Sequence, residues 1–128
     1  MKIFVTGATG FTGSRVVPLL LKNGYEVRCL FRASSDRSTL SDSKIEWVQG
    51  DLSDPQTLTS AMQGADALVN IASLGFGHAD SIIRAAKDAG IKRAIFISTT
   101  AIFTKLNARS KKVRVAAELA IETSGLKY

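Results

Sequence analysis

The chain has 128 residues, 45% of them apolar and 22% charged, with a formal net charge of +6. Those values fit one ordinary globular domain, and no apolar stretch approaches the roughly 20 residues needed to span a bilayer. The opening MKIFVTG lacks the apolar core and small-residue cleavage site of a secretory signal, and the single cysteine, Cys29, forms no internal disulfide, which fits a reducing cytoplasm.

In chain order, KIFVT at 2–6 reads as a buried strand, and 10–23 as a helix stopped by Asn23-Gly24, with Pro18 predicting a kink. YEVRCLF (25–31) and IEWVQ (45–49) are the second and third strands, with Cys29 and Trp47 assigned to the core. Asp54 caps a short helix that starts at Pro55 and runs to about Gln63. ADALVNIA (65–72) is the fourth strand. From Ala79 the apolar positions Ile82, Ile83, Ala86 and Ala89 recur at helical spacing up to Gly90. KRAIFIS (92–98) is the fifth strand, and Val113, Ala116, Ala117, Ala120 and Ile121 make a last helical stripe. Nearly continuous apolar strands separated by helices indicate an α/β fold, a parallel sheet covered on both faces. The final SGLKY reads as the start of a sixth strand beside the fifth. The fifth strand is then an apolar edge, to be completed by further polypeptide or by a second copy of the chain.

After the first strand stand three glycines three apart, Gly7, Gly10 and Gly13. Gly7 suits a tight strand-to-helix turn, Gly10 lets a phosphate approach the helix-start amides, and Gly13 lets the helix lie close on the strand. The spacing is G-x-x-G-x-x-G, so this turn is built differently from the G-x-G-x-x-G loop. At the end of the second strand stands Arg32, 19 residues after Gly13. A carboxylate there would accept from a ribose hydroxyl, whereas a guanidinium suits a 2′-phosphate, so Arg32 argues for NADP over NAD. Read from residues alone, Asp51 after Gly50 is a turn residue or a ligand to a base.

The ordered set VTGATGFTGSRVVPLLLKNGYEVRCLFR, VQGDLSD, ALVNIAS and AIFISTTA resembles the N-terminal half of the extended and atypical short-chain dehydrogenase/reductases. That group includes NAD-dependent epimerase/dehydratases and NmrA-like proteins, and the resemblance covers essentially the whole chain. It implies a three-layer NAD(P)-binding Rossmann-type doubly wound sheet with strand order 3-2-1-4-5. It also implies that Gly7, Thr9, Gly10, Phe11, Thr12 and Gly13 form the phosphate loop. Asp51 and Leu52 would flank the adenine, Asp51 accepting from its amine. Ala72 and Ser73 would lie along the ribose and nicotinamide. Substrate choice in this family comes largely from a C-terminal region that these residues do not include.

Catalysis in the family uses a Ser or Thr hydroxyl after the fifth strand, then a tyrosine four residues before a lysine that lowers its pKa. Ser98, Thr99 and Thr100 offer the hydroxyl, with Thr100 the closest match, and Lys111 or Lys112 the amine, with Lys112 taken as the candidate. The tyrosine is missing: Ala108 and Asn107 stand at the required positions, and the tyrosines are Tyr25 and Tyr128. Two readings stay open, an atypical oxidoreductase or epimerase acting on a nucleotide sugar or small carbonyl compound, and a non-catalytic NADP(H) sensor of NmrA-like type. His78 is a proton donor at the cleft or a solvated residue. The basic run Lys105, Arg109, Lys111, Lys112 and Arg114 attracts an anionic substrate or the cofactor phosphates, binds nucleic acid, or is a solvated face. No Cys/His spacing suits a metal.

Overall fold

The apolar runs become five strands: β1 (Lys2–Thr6), β2 (Glu26–Phe31), β3 (Ile45–Gln49), β4 (Ala67–Asn70) and β5 (Arg93–Phe96). The structure is a computed structural model that describes residues 1–128. All strand pairs are parallel, in the order β3-β2-β1-β4-β5. The helices are α1 (Gly13–Lys22), α2 (Pro55–Met62), α3 (Ala79–Asp88) and α4 (Arg109–Thr123), with 3-10 turns at Leu74–Phe76 and Thr100–Phe103. The expected α/β architecture and strand order are both present.

Alternation along β1 explains the layering. Phe4 faces α2 and α3, packing with Leu58, Met62, Leu68, Ile82 and Ala94. Its neighbours Ile3 and Val5 face α1, packing with Val17, Val27, Cys29 and Val69. A third cluster of Leu74, Ala79, Ile83, Ala117 and Ile121 ties α4 to α3 and to the Leu74–Phe76 turn. Asp54 caps α2 as expected, accepting from the N–H groups of Gln56 and Thr57 at 2.9 and 3.4 Å.

Several expectations need correction. α1 begins at Gly13 rather than residue 10, because Gly10 first closes a turn by donating to the Gly7 carbonyl at 3.2 Å. The helix includes Pro18, which is exposed. Trp47 is half-buried, not core: β3 is an edge strand, and the indole packs edge-on against Phe31 with centroids 6.2 Å apart. Residues 124–128 form no sixth strand; the Lys127 carbonyl accepts one hydrogen bond from Ala94 N–H at 2.8 Å. Cys29 is in the core, and burial pushes its thiol up to about 12.

Candidate functional site

The carboxyl ends of β1, β2 and β4 open onto one cleft of about 600 Å³. Its walls include Gly7, Thr9, Gly10, Phe11 and Thr12 from the first turn, Arg32 and Ser35 after β2, Leu52 after β3, and Ala72, Ser73, Phe76 and His78 after β4. Four separate stretches of sequence are thus brought to the end of the sheet where parallel α/β folds take ligands. Gly13 and Asp51, also expected at the site, are not in the wall.

The three glycines divide by what surrounds them. Gly7 has φ +69°, and a Cβ there would stand 2.6 Å from the Ala72 nitrogen. A Cβ on Gly13 would stand 2.2 Å from the Gly7 carbonyl oxygen. Both positions are closed by the protein itself, which is why α1 can lie so near the β1 turn. Gly10 differs, since a Cβ there would meet only the Gly7 oxygen at 3.4 Å. The fold tolerates more atoms at residue 10, so its bareness keeps the loop open to something outside the chain. Beyond it the N–H groups of Phe11, Thr12 and Gly13 have no partner in the chain. Such donors at a helix start, with the helix dipole behind them, fit an anionic diphosphate.

Behind the loop lies a polar latch that the sequence reading missed. Thr6 and Asn70 are both fully buried. The Thr6 hydroxyl donates to the Asn70 side-chain oxygen at 2.7 Å and accepts from Ala72 N–H at 3.3 Å. Asn70 Nδ2 donates to the Ala72 carbonyl at 3.1 Å. The latch fixes Ala72 against Gly7 and so sets the width of the cleft at this end. A polar residue closing each of two apolar strands, VT and VN, is the signal that could have revealed it.

At the other end the Arg32 side chain has no hydrogen bond or ion pair, while its backbone N–H and C=O bond Ser35 at 3.0 and 2.8 Å. Its guanidinium is available to a ligand. Arg37 is held differently, stacked 4.4 Å over Phe31 and 5.6 Å over Trp47. Asp51 uses Oδ1 on Ser53, accepting from its N–H at 2.8 Å and its hydroxyl at 2.7 Å. Those bonds, backbone first, hold its carboxyl below the usual range, helped by the fields of His78 and Arg32. Asp51 therefore builds the turn that presents Leu52 to the cleft. Phe11, at the mouth, is stacked by Arg15 at 3.8 Å.

The expected catalytic pair is not brought together at this cleft. Thr100 starts a 3-10 turn, Lys112 is on α4, and both are exposed and outside the wall. Ser98 donates its hydroxyl to Glu118, and Thr99 spends its own capping Ala101 N–H at 3.3 Å. Lys111 Nζ donates to the Thr104 carbonyl at 2.6 Å. Lys112 is the candidate by position in the sequence, but helical phase turns Arg114 inward. Arg114 lies in line with buried Ala117 and Ile121, and its guanidinium covers Gly75. Tyr25 precedes β2 at the opposite end of the sheet, and Tyr128 ends the chain near Ser98.

No helix is long and apolar enough to cross a membrane, and no group of three His, Cys, Asp or Glu is placed to hold a metal.

The profile of the NAD(P)H-binding family matches residues 7–128. A Synechocystis protein provisionally named dihydroflavonol 4-reductase is 39% identical over 112 residues, covering 77% of this chain and 32% of its own length. The photosystem II assembly factor Ycf39 of Trieres chinensis is 28% identical over the whole chain and 44% of its own length. The chain thus spans less than half the length of these relatives. Among solved structures, the NADPH complex of an Escherichia coli NADPH-dependent quinone oxidoreductase superposes with a TM-score of 0.79 at 28% identity, over 97% of this chain and 46% of the other.

Proposed function

We propose, given that the chain belongs to the NAD(P)H-binding family, that residues 1–128 form one dinucleotide-binding domain whose cleft holds NADP(H) in preference to NAD(H). The protein it serves is reductase- or epimerase-like and acts on a small carbonyl compound or a nucleotide sugar. One observation carries this reading: the first turn with the unpartnered amides of Phe11 and Thr12, the free Arg32 guanidinium and the latched Ala72-Ser73 turn all line a single cleft. The amides of Phe11, Thr12 and Gly13 would hold the diphosphate, Thr9 and Gly10 leaving room for it. Arg32 would hold a 2′-phosphate, Leu52 with the second oxygen of Asp51 the adenine, and Ala72 and Ser73 the nicotinamide side. Bound NADPH supplies a hydride. The buried, unpaired thiol supports a reducing compartment, the cytoplasm.

A second reading, a non-catalytic sensor, is favoured by the position of the tyrosines, both outside the cleft. In the enzymatic reading Thr100 and Lys112 must move toward the substrate oxygen to supply the proton. Calorimetric titration with NADPH and NADH tests the first claim, and equal affinities overturn NADP selectivity. NADPH oxidation with a panel of small ketones and quinones tests the second. Turnover that Thr100→Val abolishes favours the enzyme; tight binding without turnover favours the sensor.

A further inference from the structure

The 3-10 turn at Leu74–Phe76 separates two environments. On one side Ser73 and Phe76 line the cleft. On the other lies α4, where a Cβ on Gly75 would stand 2.8 to 3.0 Å from Nη2, Cζ and Nε of Arg114. The guanidinium therefore covers the Gly75 backbone, a contact that leaves its N–H groups unspent. Arg114 is half-buried, yet it has no hydrogen bond within the chain and pairs with no carboxylate. Its natural helical partner one turn on, Glu118, is engaged by the Ser98 hydroxyl instead. A half-buried guanidinium with five donors and no acceptor is poised for one from outside. Lys105, Arg109 and Lys112, which precede it in the sequence, are exposed and likewise without an ion pair, so the surplus charge of this segment is positive, with Glu118 the carboxylate one turn on.

We propose that Arg114 anchors an anionic group of the substrate, a carboxylate or a phosphate, on the α4 side of the Leu74–Phe76 turn. The planar fork of the guanidinium suits either oxyanion bidentately, and its seat on Gly75 holds the fork at the turn, two residues along the chain from Ser73. The adjoining cleft end is the nicotinamide end only if the dinucleotide reading holds, so the assignment to substrate rests on that reading. Lys112, exposed and on the opposite face of α4 from Arg114, adds charge but no anchor.

The test uses the 15N-labelled chain, first saturated with NADPH, then titrated with sodium succinate or inorganic phosphate at constant ionic strength. The amide resonances of Ser73, Gly75 and Phe76 are expected to shift saturably. Arg114→Gln is expected to weaken the anion about 10-fold or more, Arg114→Lys by less, and Lys105→Gln under about twofold. Tighter succinate marks a carboxylate site, and tighter phosphate a phosphate site. Unsaturable shifts, equal shifts with sodium chloride, or an affinity unchanged in Arg114→Gln overturn the proposal. Displacement of the anion by NADPH also overturns it, assigning Arg114 to the cofactor. Should NADPH fail to bind while an Arg114-dependent anion site remains, the dinucleotide reading falls and the anion site stands. If Arg114→Gln does not fold, Arg114→Lys carries the test through lower anion affinity at an unchanged thermal midpoint.

Discussion

Thr6 and Asn70 close the ends of β1 and β4 with a hydrogen bond of 2.7 Å inside a fully buried environment. The two residues are paired in the parallel register, so one strand end reads the position of the other. Through Ala72, bonded by both, the pair holds the β4 turn against Gly7. Thr6→Val keeps the shape but strands the Asn70 oxygen and the Ala72 N–H. Each buried group left unsatisfied costs about 1–3 kcal/mol, so a loss of about 2 kcal/mol or more is expected in urea denaturation. NADPH affinity should fall with it, and an unchanged unfolding midpoint would show the latch to be idle.

The glycine loop predicts a separation of stability from binding. Gly13→Ala drives a Cβ to 2.2 Å from the Gly7 oxygen, and backbone there cannot give cheaply. Overpacking of this kind costs about 1–3 kcal/mol or more. At residue 10 a Cβ meets only the Gly7 oxygen at 3.4 Å, so Gly10→Val is expected to move stability far less than Gly13→Ala while NADPH binding is lost. Circular-dichroism melts and nucleotide titrations on both variants give the two readouts. If Gly10→Val binds NADPH like the native chain, the diphosphate does not lie over residue 10.

How much of this could be read beforehand follows from which forces leave a local mark. The strands were legible because each is an almost unbroken apolar run, and burial on both faces needs that. The glycine turn and the place of Arg32 in the cleft wall were legible because a tight strand-to-helix turn needs glycine and the ends of parallel strands form the cleft. Arg114 was not, because its identity as the inward cation depends on the phase of α4 against the Leu74–Phe76 turn, a tertiary fact. Asp51 was half legible: the same residue type serves a ligand or an Asx turn, and its Oδ1 bonds to Ser53 show the turn while leaving Oδ2 unused. Trp47 misled because an indole on an edge strand is covered on one side only.

In the proposed reading, cofactor choice rests on Arg32. With no protein acceptor for its guanidinium, Arg32→Glu removes a charge-assisted contact and adds repulsion to a 2′-phosphate. Such a contact is worth about 1.5–3 kcal/mol, or about 10- to 150-fold. NADPH affinity should drop by that factor while NADH affinity changes little or rises. An equal loss for both nucleotides would mean that Arg32 serves the cleft's shape.

Cys29 predicts an alkaline limit. Its thiol is buried and titrates near 12 in place of 9.0. Between those values the unfolded chain releases a proton that the folded chain keeps, so the unfolded state is favoured as pH rises. The stabilisation is complete below about pH 9 and is lost progressively toward pH 12. Cys29→Ala should flatten that part of the stability profile, after allowance for its constant packing loss. In the native chain at pH 8, Ellman's reagent should report no reactive thiol until denaturant is added.

The last prediction concerns the open side of β5. Its hydrogen-bonding edge makes a single bond to the chain's own tail, Ala94 N–H donating to the Lys127 carbonyl. Ile95 is 54% exposed and Ile97 45% exposed, while the charges of Lys92 and Arg93 guard only the start of the strand. Exposed edges of this composition pair with other strands unless something blocks them. The isolated 128-residue chain is therefore expected to self-associate as its concentration rises, with light scattering reporting a mass above 13.7 kDa. Ile95→Lys places a charge in the middle of the edge and should return the mass to the monomer value. NADPH affinity should stay unchanged, since Ile95 is outside the cleft wall. A native chain that remains monomeric at high concentration, with Ile95→Lys no different, would show that the Lys127 contact and the flanking cations already suffice to block the edge.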